Sequence, residues 1–231
     1  MTLWTAEFLQ ALSVSGLADY RPAGADWSDP AHAIVERAHS DEDGWQAEVG
    51  KALVAIAGGQ LSVTLPQGTA LLHAAMDVYF CDRHGSGNSV SDCAAIRAIG
   101  PSMIAIFDPD DGPGAPRVLS AGRTESDLCD LAARFANYVC YMFWDVAPYP
   151  YICNPDGASA CLDAMEACVR STHPALVESG LHGLGHARDC GAVASMEARR
   201  IEIIARANTA IPGFQSALRQ YADAAMTGMV Q

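Results

Sequence analysis

His173-Pro174-Ala175-Leu176-Val177-Glu178-Ser179-Gly180-Leu181-His182-Gly183-Leu184-Gly185-His186 is the stretch on which the reading of this chain turns. Proline is tolerated in the first turn of a helix, where its missing N–H would have no partner, so Pro174 marks a helix start. Inside that helix Gly180, Gly183 and Gly185 each cost ~1 kcal/mol relative to alanine. Three glycines so close together predict a neighbouring helix that approaches closely. Access of a ligand to the backbone is the alternative reading of the same glycines. Gly183-x-Gly185 is no dinucleotide fingerprint, because no strand precedes it and Arg188 stands where the third glycine belongs.

Helical signals continue on both sides. Asp29-Pro30 predicts a cap and helix start ahead of Ala31–His39. Residues 45–58 are rich in alanine and valine and stop at Gly58-Gly59. Leu61, Val63 and Leu65 alternate, as one short strand would. Pro66 then opens a helix with Leu72, Met76, Tyr79 and Phe80 on one side. Residues 90–107 read as two short helices split at Gly100-Pro101. A capping box at Thr124–Asp127 precedes a long helix whose Leu128, Leu131, Phe135, Tyr138, Met142 and Val146 recur at helical spacing. Further helices are expected over about 157–171, 192–207 and 212–226.

The Pro174 segment resembles the first helix of a HEAT-type repeat, whose usual form is an acidic residue and proline, Val-Arg, then alanine spacing to Ala-Leu-Gly. The resemblance covers mainly residues 157–227. Glu178 stands where an arginine is usual, and Gly180 and Gly183 replace alanines. It implies an all-α fold of stacked antiparallel helix pairs, an α-solenoid or irregular α-α superhelix of about nine or ten helices. Residues 1–231 are expected to form one helical domain, with 1–44 looser. Families of this kind mostly serve as recognition scaffolds, although some members are enzymes.

Composition narrows the function. Twenty-seven acidic residues against fourteen basic ones give a formal charge of −13, which disfavours nucleic acid and favours a basic protein or peptide partner. Lys51 is the only lysine, and its surroundings lack a P-loop glycine. No run approaches the ~18 apolar residues of a membrane span, and the N-terminus lacks a secretory pattern, so a cytoplasmic protein is expected. Eight cysteines contain no C-x-x-C pair, which predicts packed reduced thiols rather than a structural zinc. No cofactor is expected. Asp108-Pro109-Asp110-Asp111-Gly112 lacks calcium-loop spacing and reads as a turn.

Two constellations remain. Glu178, His182 and His186 fall at i, i+4 and i+8, a stripe apart from the core-facing Val177, Leu181 and Leu184. That stripe should face solvent, a groove or an adjoining helix. A carboxylate and two imidazoles suit a divalent metal, with His73, Asp77 or Asp145 as nameable further ligands. The bland reading is a row of polar residues bonded to a neighbouring helix. A nucleophilic pair of Cys190 with His186 is a third arrangement, set against inert buried thiols. The second constellation is Tyr138–Tyr151, where Tyr141, Trp144, Tyr149 and Tyr151 suit either a core or a recognition surface. The leading expectation is a non-enzymatic module that binds protein or peptide through the aromatic run and the Glu/His stripe. A metal-dependent enzyme or metal-binding protein is the alternative, and helix ends could also drive homo-oligomerisation.

Overall fold

A computed structural model describes residues 42–79, 90–109, 115–118, 131–146, 155–190, 194–210 and 216–230. Among them are eight α-helices and no strand: α1 (Glu42–Ala57), α2 (Leu65–Tyr79), α3 (Val90–Phe107), α4 (Leu131–Val146), α5 (Pro155–Val169), α6 (Pro174–His186), α7 (Ala194–Ala210) and α8 (Ser216–Thr227). The all-α expectation therefore holds for the described chain. The Asp29-Pro30 helix, the Thr124 capping box and most of the 108–114 turn lie outside it.

The described helices form two runs of contact that also pack on each other. α1 packs on α3, α3 on α5, and α5 on α7, whereas α2 packs on α4, α4 on α6, and α6 on α8. The pairs α1–α2, α2–α3, α5–α6 and α7–α8 join the two rows. α6 also meets α3 and α7, so it has neighbours on every side, and each residue from Ala175 to Gly185 is buried.

The chain explains these elements locally. His173 caps α6 in an extended conformation (φ −81°, ψ 117°), its Nδ1 accepting from the Ala175 N–H. α1 ends as expected at Gly58-Gly59, where Gly59 takes φ +67°. A Cβ on Gly180 would press on the Met165 carbonyl and Cys168, and one on Gly183 would press on the Trp144 indole. Close helix approach, not ligand access, accounts for these glycines.

Two local expectations need correction. Residues 90–107 form one helix with Pro101 inside it rather than two. Gly100 lets α3 approach α5 so closely that a Cβ there would collide with the Ala164 carbonyl. Burial along α3, from Ile96 and Ile99 to Met103 and Phe107, offsets the hydrogen bond lost at the proline. The strand expected at Leu61, Val63 and Leu65 does not form: residues 61–64 take no regular structure and Leu65 already belongs to α2.

Arg200 locks the C-terminal helices together. It is 2% exposed, makes a two-pronged ion pair with Glu197, and donates to the carbonyls of Leu184, Ala225 and Met226. One guanidinium thus satisfies carbonyls left open at the ends of α6 and α8. Lys51 lies on the surface beside Glu48, and the Glu202–Arg206 pair is exposed at 3.7 Å.

No described helix is long and apolar enough to cross a membrane.

Candidate metal centre

The stripe Glu178-His182-His186 does run along one side of α6, but it faces inward. Glu178 is fully buried and His182 is 2% exposed. The solvent or groove alternatives are thereby corrected for Glu178 and His182, which face adjoining helices, whereas His186 keeps 40% of its side-chain exposure. An imidazole and a carboxylate carried into such an interior must find polar partners, because each left unpaired costs several kcal/mol.

Those partners come from the even row. His182 Nε2 lies 2.7 Å from Asp145 Oδ1 on α4, and its Nδ1 lies 2.6 Å from the Tyr221 hydroxyl on α8. His186 Nε2 stands 2.7 Å from the same Asp145 oxygen and 3.2 Å from His182 Nε2. Tyr141, one turn before Asp145 on α4, sets its ring 4.7 Å from the His182 ring.

Asp145 Oδ1 and the two Nε2 atoms therefore form a small triangle. Were both imidazole lone pairs aimed at the carboxylate oxygen, three electron-rich atoms would stand this close only around a proton or a metal ion. Asp145, His182 and His186 are the metal-competent cluster among the described residues. His182 and Asp145 lie near the C-terminal ends of α6 and α4, and His186 closes α6, where the helix dipole favours a cation. Burial lowers the pKa of His182, against the upward pull of the hydrogen bond and charge of Asp145. A depressed imidazole pKa favours the neutral form that binds metals.

The centre is open on one side. His186 and Asp145 side chains keep 40% and 30% of their exposure while His182 keeps 2%. Deeper in, burial pushes the Tyr221 hydroxyl up to about 12 and the Tyr141 hydroxyl further, with Glu178 adding to both. Both phenols stay protonated at neutral pH.

Of the residues named from sequence, the structure brings His182 and His186 together with Asp145, one of the nameable further ligands, and leaves Glu178, one turn before His182, outside that cluster. Asp145 had a legible signal as the single charged residue between Arg134 and the end of α4. Tyr221 had none, because nothing in the pattern of α8 singles it out.

Trp144, expected at a partner surface, is a core residue instead: 1% exposed, its indole N–H donates to Ser179 Oγ, which donates to the Cys140 carbonyl. Tyr141 is half-buried against His182. Tyr149 and Tyr151 lie outside the described residues, as does the Cys190 side chain. α6 ends at His186 and passes into a 3-10 turn over Ala187–Cys190. His73 packs its ring against Tyr138, 6.1 Å between centroids, and is not among the residues of the cluster. Cys93, Cys140, Cys161 and Cys168 are buried free thiols, and burial raises the pKa of Cys140 and Cys168.

Comparison of the chain with protein families, with curated proteins and with solved structures finds no match.

Proposed function

We propose that this protein binds one divalent first-row transition-metal ion through Asp145, His182 and His186, and that the ion keeps positions open for water or an added ligand. The observation that carries this reading is the triangle of 2.7, 2.7 and 3.2 Å between the three donor atoms. Ligands held ~2.1 Å from a metal at right angles stand about 3.0 Å apart, against about 3.4 Å for tetrahedral angles. The triangle fits one face of an octahedron, two imidazoles and one carboxylate. Calcium and magnesium prefer oxygen-only surroundings and fit the imidazole pair poorly. Three protein ligands with solvent on one side are the arrangement of metal centres that act on a bound molecule, whereas purely structural centres close their fourth position.

Equilibrium dialysis of the full chain against Zn2+ or Co2+, followed by metal analysis, tests the proposal. One ion per chain is expected for the native protein, and none at the same free metal concentration for Asp145→Ala or His182→Ala. Equal uptake by native and substituted proteins would refute it.

A HEAT-like stack remains our proposal for the architecture. What supports it is the packing of the described helices as pairs, α1–α2, α5–α6 and α7–α8, with the run α1–α3–α5–α7 lying beside α2–α4–α6–α8. Under this arrangement the metal ligands sit on successive members of one row. A protein or peptide partner would have to use surfaces other than Trp144, Glu178 and His182, which are buried.

A further inference from the structure

We infer that Tyr221 is a positioning residue for the metal centre: its hydroxyl holds Nδ1 of His182 and so turns Nε2 of the same ring to the ion. The inference rests on the metal reading above. Nδ1 lies 2.6 Å from the Tyr221 hydroxyl, while Nε2 lies 2.7 Å from Asp145 Oδ1 and 3.2 Å from His186 Nε2. An imidazole turned half a revolution about its bond to Cβ fills the same space, and the torsion itself hardly separates the two orientations. What separates them is where the nitrogens point. In the turned ring one carbon faces the triangle and another meets the Tyr221 hydroxyl. His182 is 2% exposed, so a nitrogen turned away from these partners has little water to replace them.

Tyr221 can serve as a fixed reference because α8 is fastened to α6. Arg200 donates to the Leu184 carbonyl of α6 and to the Ala225 and Met226 carbonyls of α8. Val230, beyond the end of α8, is buried at Gly185, where a Cβ would strike its side chain. The Tyr221 ring lies within 21° of parallel to the imidazole at 6.3 Å between centroids, and the Tyr141 ring packs on the same imidazole at 4.7 Å. Coordination gives the Tyr221 contact a direction. An ion at Nε2 takes that lone pair, so the neutral ring carries its proton on Nδ1. The phenol oxygen has lone pairs to accept from this N–H, wherever its own hydrogen points. Partners that hold the second nitrogen of a metal-bound imidazole fix the ring in this way, and their loss costs about 10- to 100-fold in metal affinity.

Zn2+ affinity, measured by competition with a chromophoric chelator, tests the inference on the full chain. Tyr221→Phe keeps the ring and removes the hydroxyl, so it should bind Zn2+ about 10- to 100-fold more weakly than the native protein. Tyr138→Phe removes a hydroxyl from an exposed ring of α4 that packs on His73, and its affinity should stay within twofold of native. Proton NMR of the Co2+-loaded proteins separates positioning from a loosened fold. In Tyr221→Phe the His182 N–H signal should shift and exchange faster with water while the His186 signal keeps its place; a general loosening would move both. Zn2+ affinity of folded Tyr221→Phe within twofold of native, or an equal loss in Tyr138→Phe, would overturn the inference. So would a native His182 N–H that exchanges as fast as that of His186, a result that does not depend on whether Tyr221→Phe folds. The metal centre would stand in each case, because native uptake and its loss in Asp145→Ala are measured separately. Absence of native uptake would instead remove the metal reading and this inference with it.

Discussion

The α1–α3–α5 row and the α4–α6–α8 row are built from similar small and aliphatic side chains, but they bury different chemistry. In the first, α1 and α3 bury the neutral Gln46 and Ser102, with Ser102 donating to the Leu53 carbonyl at 2.9 Å, and α7, packed on α5, buries Arg200 against Glu197. Other charged groups of this row stay at the rim, where Asp163 joins Arg97 and Arg199 while Glu166 joins Arg170, Arg199 and Arg206. The second row encloses Glu178 and His182 and half-buries Tyr141, Asp145 and Tyr221. Hydrophobic residues of similar volume are often as stable as a buried ionic group, or more so. Arg200 closes the ends of α6 and α8, which accounts for its burial; closing helix ends does not account for Glu178 and His182 within α6, and that difference points to a site.

Substitutions can break that contrast at several strengths. Arg200→Ala strikes the junction of the C-terminal helices, stranding Glu197 and three carbonyls, and should cost about 3–5 kcal/mol in urea unfolding. Next comes the ion itself. Zn2+ at 100 times its dissociation constant should stabilise the native protein by about 2.7 kcal/mol, and His186→Ala should lose most of that gain. Gly100→Ala forces α3 against the Ala164 carbonyl and should cost ~1–3 kcal/mol. Because Gly100 lies in the first row, Zn2+ affinity of the folded variant should stay within twofold of native; a large loss would mean that the two rows are not independent.

Acid supplies a weaker effect. The hydrogen bond from Arg200, aided by the charges of Arg200 and Arg188, holds the Glu197 carboxyl below its ordinary value of 4.5. A depressed folded value contributes stability that is present above the unfolded pKa and is lost as pH falls through the folded one. Thermal unfolding below about pH 4.5 should thus fall less steeply for Glu197→Gln than for the native chain, and parallel curves would contradict this. Smallest of all, Arg97→Ala removes an ion pair whose partners are 46% and 36% exposed, and should change stability by under ~0.5 kcal/mol.

Helices were legible wherever caps and periodicity agreed, as in α1, ended by Gly59, and α6, opened by Pro174. The break expected at Gly100-Pro101 failed because tertiary packing outweighed one lost hydrogen bond, and no local pattern reports packing. The site was half legible for a related reason. His182 and His186 share one helix face, which spacing reveals. Asp145 and Tyr221 reach them from helices 37 and 39 residues away in sequence. Direction was left open by the pattern: a polar stripe on an amphipathic helix can face water, a groove or an adjoining helix, and α6, with no wet side from Ala175 to Gly185, takes the last of these.

Cobalt makes the central claim directly visible. Proton NMR of the Co2+-loaded full chain should show two strongly shifted exchangeable imidazole N–H signals after one equivalent. One, from His182 Nδ1–H held by Tyr221, should exchange slowly with water, and one, from the more exposed His186, should exchange fast. A titration that shifts no histidine resonance, or that reaches saturation equally well in His182→Ala, would contradict a metal centre where α4 and α6 meet.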